Sequence, residues 1–216
     1  MKVSDLIINF YAKKKIDKAF LVYGAANGDL VDAFTRTDKI DYICTFHEQA
    51  AGFAAEGYQK IKNVPGLAIA TSGPGATNMI TSIANCYYES IPCIFIAGQI
   101  NSKFVRPHDR IRQIGFQETD MISLVKPITK YAVSVTDPKD ILYELEKSYY
   151  LAMDGRRGPV LLDLPIDVQK AEVDENELVG FEKRAFDKDF DLGLVREQIE
   201  LFFQDLKKSK RPCLLI

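Results

Sequence analysis

Short apolar runs alternating with stretches of helical spacing constrain this chain more than any other feature. Such runs fall near residues 19–23, 42–45, 67–70, 93–97, 131–135 and 160–164. Each is too short for a buried helix and rich enough in Val, Ile, Leu, Phe and Tyr for a strand. Between them apolar residues recur at three and four. Val3, Leu6, Ile7 and Phe10 mark one helical face behind a Ser4 cap, and further helices are expected near 29–35, 49–62, 76–89 and 139–153. Strands that are apolar throughout are buried on both faces, and parallel neighbours need a crossover of about helix length. The pattern therefore predicts an α/β domain over residues 1–170: a doubly wound, mostly parallel sheet with helices on both faces.

In such sheets ligands bind outside the carboxyl ends of the strands. Three glycine-bearing turns are expected there: Gly24 to Gly28, Gly73 to Gly75, and Gly98 onward. Each alone is a plain strand-to-helix turn; together they line one edge. The run Phe46-His47-Glu48-Gln49-Ala50-Ala51-Gly52-Phe53-Ala54-Ala55 hands a strand to a helix with little polarity around Glu48. A carboxyl group buried without a cationic partner favours its protonated form and can share a proton with a ligand nitrogen. From the residues alone, Glu48 could equally cap the helix expected to start at Gln49. In Gly73-Pro74-Gly75 the first glycine permits an unusual backbone angle, the proline stiffens the turn, and the second glycine allows close approach to a flat ring. The Asn78 amide, in the following helix, could meet a polar ligand edge.

The Glu48 run, then Ala70-Thr71-Ser72-Gly73-Pro74-Gly75-Ala76-Thr77-Asn78, then Gly115-Phe116-Gln117-Glu118-Thr119-Asp120, occur in an order that resembles the acetolactate synthase group of thiamine diphosphate enzymes. The resemblance runs from about Lys2 to Gln169. It implies that Glu48 hydrogen-bonds the cofactor's aminopyrimidine ring and favours the imino tautomer that serves as internal base. It further implies cofactor contacts from Gly24, Ser72, Gly73, Pro74, Gly75, Asn78 and Gln117. Phe116 would flank the substrate pocket with Arg112 nearby, while Gln117 would reach both cofactor and bound 2-keto acid. Arg156 matches a residue that approaches a flavin in this group, which leaves FAD binding open. The implied reaction is decarboxylation of a 2-keto acid, pyruvate first, with transfer of the two-carbon unit to a second carbonyl compound. A homodimer or homotetramer is implied, because the pyrimidine-binding domain of one subunit meets the diphosphate-binding domain of another.

Three departures from the group put the substrate, more than the cofactor, in question. Gly24-Ala25-Ala26-Asn27-Gly28 stands where Gly-Tyr-Pro-Gly-Gly is usual, Ile166 replaces a lysine after Pro165, and residues 103–115 are longer and more basic. Lys103, Arg106, His108, Arg110 and Arg112 face a single acid there, Asp109. A related carboligase acting on a nucleotide-linked ketosugar is the second reading, simple decarboxylation the third, and a non-catalytic dimerisation module a reading of a different class. The excess of apolar positions at Met79, Ile80, Ile83, Ala84, Cys86, Tyr87 and Tyr88 suits a helix with a second buried face.

Composition removes other classes. A net charge of −2 gives no field for nucleic acid or an anionic membrane. No apolar run approaches the ~20 residues that span a bilayer, and no signal-peptide core follows the early lysine, so the chain reads as cytoplasmic. Cys44, Cys86, Cys93 and Cys213 lack paired spacing and read as free thiols, three of them buried. With only His47 and His108 no zinc site is expected, and Ser72 and Ser90 lack a histidine and acid for a hydrolase. Neither Gly-x-Gly-x-x-Gly nor a phosphate-binding Gly-x-x-x-x-Gly-Lys occurs, which argues against dinucleotide binding and phosphate cradling. The Gly-Asp-Gly and paired asparagine that hold diphosphate and Mg²⁺ in the thiamine diphosphate group are also missing, so the resemblance implies no metal ligand in these residues and Mg²⁺ held elsewhere. Periodicity fails after Gln169, and an acidic linker is expected over 171–191. Residues 192–216 then read as the opening helix and strand of a truncated central domain.

Overall fold

The computed structural model describes residues 1–105, 110–182 and 191–213. The first unit, Met1–Phe181, runs α1 (Val3–Lys13), β1 (Lys18–Leu21), α2 (Gly28–Ala33), β2 (Asp41–Cys44), α3 (Glu48–Lys62), β3 (Gly66–Ala70), α4 (Pro74–Asn78) and α5 (Ile80–Tyr88). It continues with β4 (Cys93–Gln99), α6 (Met121–Val125), β5 (Tyr131–Ser134), α7 (Ile141–Met153), β6 (Val160–Pro165) and α8 (Ile166–Lys170). The second unit carries α9 (Leu192–Lys208), capped by the Asp191 carboxylate on the Gly193 and Leu194 amides.

The six strands pair in the order β2-β1-β3-β4-β6-β5, every pair parallel. Period-two alternation sorts their side chains onto two faces. Leu67, Ile69, Ile94, Ile96, Val160 and Leu162 pack with Leu6 and Ile7 of α1, Leu30 of α2 and Leu145 of α7. Ala68, Ala70, Phe95, Ala97 and Leu161 pack on the other face with Ala55 of α3, Met79, Ile83 of α5 and Met121 of α6. Burying each of these large side chains contributes about 1.5–3 kcal/mol. Because parallel crossovers are right-handed, a strand connection that runs one way along the sheet covers one face and the return covers the other. The turns after β1 and β3, adjacent strands, consequently leave toward opposite faces and open a crevice at the carboxyl edge.

Several local expectations are corrected. Ser4 lies buried inside the first turn of α1 and caps nothing; Lys2 is the cap position. The Val3 amide instead donates to the Ala171 carbonyl at 2.9 Å, and Lys2 pairs antiparallel with Glu172. Residues 171–181, expected to begin a linker, thus belong to the first unit, where Phe181 also stacks on Tyr143 and Tyr150. The helix expected over 76–89 is broken at Met79 into α4 and α5. Its inner face buries Met79, Ile83 and Cys86, while the surplus tyrosines, Tyr87 and Tyr88, point outward. Cys44 is exposed, not buried, so two thiols rather than three lie in the core. Arg106, His108 and Asp109 lie outside the described residues, as does the end of the expected last strand, 214–216. Among the described residues no helix is long and apolar enough to cross a membrane, and no cluster of His, Cys, Asp or Glu could hold a metal.

Candidate functional site

β2 delivers the chain to the carboxyl edge, and His47 then starts α3. Its Nδ1 accepts the Gln49 amide at 3.2 Å, so His47 performs the capping that could have fallen to Glu48. Glu48, at the first helical position, is buried and turned elsewhere. Its Oε2 accepts from Asn78 Nδ2 at 2.9 Å. Among the described residues its Oε1 accepts no hydrogen bond and meets no cation. That bond from the Asn78 amide orients the carboxyl of Glu48.

Glycines make the room around that free oxygen. A Cβ on Gly75 would sit 3.1 Å from Glu48 Oε1 and 2.7 Å from Thr71 Cγ2. Thr71 in turn holds the turn after β1: its Oγ1 accepts the Ala26 amide at 3.0 Å, and its Cβ lies 2.5 Å from where a Gly24 Cβ would be. Ser72 is buried beside them, and Pro74 opens α4. Gly24, Ser72, Gly73, Pro74, Gly75, Asn78 and Glu48 are therefore neighbours at one edge, as the carboxyl ends of adjacent strands require.

The third motif joins them through two tight turns pressed together. Glu118 N–H donates to the Gly115 carbonyl at 3.1 Å, closing a turn with Phe116 and Gln117 at its tip. Gln117 has φ +60°, a conformation that costs a non-glycine residue on the order of 1 kcal/mol or more. Gly73 has φ +61°, and a Cβ there would lie 2.6 Å from the Gln117 carbonyl oxygen. The buried Glu118 carboxylate ties the turn's entry, accepting from the Ile114 amide at 2.7 Å and the Gly115 amide at 3.4 Å. Phe116 is 85% exposed. Arg112 is also exposed and lines an open cleft of about 310 Å³ with Glu118, Thr119, Asp120, Ser123 and Leu124, beside the turn. Arg156 stands apart. It precedes β6, at the amino edge of the sheet, where its Nε donates to Ser90 Oγ at 2.8 Å.

Glu118 was quoted in its motif yet given no role, and Gln99 and Asp163, which lie behind the turn, went unnoticed. A lone acid in Val160-Leu161-Leu162-Asp163-Leu164 is the signal that could have found Asp163. Burial pushes its carboxyl up to about 7.

This α/β domain gathers a buried carboxyl and glycine turns at the carboxyl edge of its sheet, where small-molecule ligands bind in folds of this class. Residues 1–124 match the family described as thiamine pyrophosphate enzyme, N-terminal TPP binding domain, and the chain belongs to that family. It is 37% identical over 169 residues to a chloroplastic acetolactate synthase of Arabidopsis thaliana, covering 78% of this chain and 24% of that protein. It is 39% identical over 174 residues to the acetolactate synthase large subunit of Corynebacterium glutamicum, covering 81% and 27%. With the Lactococcus lactis large subunit it shares 34% over 212 residues, 98% of this chain and 36% of that protein. The chain thus spans about a quarter to a third of the length of these relatives.

Proposed function

We propose that this chain supplies the pyrimidine-facing part of the thiamine diphosphate (pyrophosphate) site in an acetolactate synthase-like enzyme. The observation that carries the reading is Glu48: buried, held on one oxygen by Asn78, and free on the other beside Gly75. A carboxyl in that state can keep or take a proton from a ring nitrogen, and the glycines at 73 and 75 admit a flat ring next to it. When bound, thiamine diphosphate supplies the nucleophilic carbon and the electron sink for decarboxylating a 2-keto acid. Glu48 shares a proton with the ring, Gly24, Ser72 and the Gly73-Pro74-Gly75 turn wall it, and Gln117 and Phe116 reach from the neighbouring turn toward the 2-keto acid. Arg112, on the flank of that turn, is positioned to meet the acid's carboxylate.

Pyruvate as donor and a second carbonyl compound as acceptor are proposed on the names of the relatives. Magnesium and the diphosphate would be held by residues outside the described cluster. A flavin, if bound, would be reached by Arg156 from the other edge of the sheet. A second subunit covering the site is supported by the apolar side chains left open around it, Tyr23, Phe46 and Phe116. The test is calorimetric binding of thiamine diphosphate to the intact protein, compared with the analogue whose carboxyl-facing ring nitrogen is replaced by C–H. Loss of one hydrogen bond to an ionisable group should weaken binding by about 10- to 100-fold in the wild type. In Glu48→Ala the two compounds should bind alike. Equal binding to the wild type would contradict the reading.

A further inference from the structure

Behind the Phe116 and Gln117 turn lies a buried polar group that cofactor binding does not use. Asp163 of β6 is 3% exposed. Beside it Gln99 ends β4, the strand paired with β6. Gln99 Nε2 donates to the Thr119 carbonyl at 2.9 Å and to Asp163 Oδ2 at 3.2 Å. Its Oε1 accepts the Ile100 amide at 3.0 Å, and Ser134 Oγ of β5 donates to Asp163 Oδ2 at 3.2 Å. Both Gln99 donor hydrogens and its carbonyl are thereby engaged, so the amide cannot rotate without leaving a buried group unpaired. A leucine at 163 would avoid the desolvation that the acid incurs there, so the acid calls for a role.

We propose that Asp163 and Gln99 are positioning residues for the Gln117 turn: Asp163 fixes the Gln99 amide, and Gln99 fixes the backbone on both sides of the turn. On the exit side the link is the Thr119 carbonyl. On the entry side it is Ile100, whose Cδ1 lies 2.0 Å from where a Gly115 Cβ would stand. A residue at positive φ persists only when its surroundings over-determine it, and Gln117 has Gly73 in front and this pair behind. The inference rests on the reading of Phe116 and Gln117 as substrate-facing. Its strength is set by ionisation. Burial raises the Asp163 carboxyl to about 7, the Gln99 and Ser134 hydrogen bonds oppose that rise, and the Asp120 carboxylate at the start of α6 adds to it. The paired strands present only the neutral Gln99 and Ser134. Ionisation is therefore disfavoured while Asp163 stays buried, and as pH rises through about 7 openings that hydrate it become easier.

The test is backbone amide exchange in the intact protein for wild type, Gln99→Met and Asp163→Asn, together with thiamine diphosphate affinity and kcat and KM for pyruvate. In Gln99→Met the Glu118 amide should lose roughly 10-fold or more of its protection, the worth of one buried hydrogen bond, while Ile94 and Ile96 keep theirs. Cofactor affinity should stay within about 3-fold and KM should rise about 10-fold. Protection of Glu118 in the wild type should step down as pH passes about 7, where the buried acid ionises, and Asp163→Asn should lack the step. Should Gln99→Met fail to fold, Ser134→Ala, which removes one bond to Asp163, should loosen Glu118 in the same direction by a smaller factor. Unchanged Glu118 protection, or a loss shared equally with Ile94 and Ile96, would overturn the proposal. If the wild type bound no thiamine diphosphate the cofactor reading would fail, yet the exchange comparison would still decide for or against the clamp.

Discussion

Replacing Gly73 by alanine tests whether the second and third motifs are physically interlocked. Two costs add. At φ +61° and ψ −122° the backbone occupies a region that side chains avoid, worth roughly 1–3 kcal/mol. The new Cβ would also lie 2.6 Å from the Gln117 carbonyl oxygen and 2.9 Å from its Cβ. That oxygen belongs to a turn already strained and tied from behind, so it cannot yield cheaply, and overpacking adds roughly 1–3 kcal/mol. The sum is about 4 kcal/mol, a large part of the roughly 5–15 kcal/mol that holds a domain folded. Gly155 is the internal control, because its φ of +54° carries the conformational cost while nothing lies within 4 Å of its added Cβ. Gly155→Ala should cost about 1 kcal/mol. Equilibrium urea unfolding of both variants should therefore separate them by about 3 kcal/mol. A difference within about 0.5 kcal/mol would refute the packing of Gly73 on Gln117.

Gly75→Ala acts on the cofactor more than on the fold. Its Cβ would meet the ends of two side chains, Thr71 Cγ2 at 2.7 Å and Glu48 Oε1 at 3.1 Å, so thiamine diphosphate affinity should fall more than about 10-fold while stability falls by about 1–2 kcal/mol. Titration calorimetry beside urea unfolding reads both. The pH dependence of stability should carry the mark of Asp163. Its carboxyl is raised from 3.8 to about 7 in the folded protein, so the folded state binds that proton more tightly than the unfolded chain. This contribution is full below pH 3.8 and is lost as pH rises through about 7, roughly 4 kcal/mol across the window at about 1.36 kcal/mol per pH unit. Asp163→Asn should flatten that slope, which urea midpoints between pH 4 and 8 would show.

The sheet was legible because its central strands are apolar on both faces, and a run such as Cys93-Ile94-Phe95-Ile96-Ala97 has no other stable place. Glu48 was legible for the same reason, as an acid in a setting without polarity. What escaped was decided by contacts between segments far apart in the chain. Residues 171–173 lack periodicity, yet their carbonyls and amides serve the start of α1, and no local pattern announces a pairing across 170 residues. Met79 breaks a helix whose spacing is continuous in sequence. The hydrogen bond from Asn78 to Glu48 joins residues thirty apart and no local pattern announces it. The conformation of Gln117 is likewise set by Gly73, Ile100 and Glu118 rather than by its neighbours in sequence.

Proton exchange at the thiazolium carbon of thiamine diphosphate bound to the intact protein tests the central claim most directly, since it reads activation by Glu48 before any substrate is involved. Deuterium incorporation after rapid acid quench, in wild type and Glu48→Gln, gives the rate. Glutamine keeps the shape and can still accept from Asn78, but it cannot share a proton. Exchange should slow by about 10²- to 10⁴-fold, the range for a general acid–base group, with folding unchanged. An exchange rate equal to the wild type in cofactor-loaded Glu48→Gln would contradict the account.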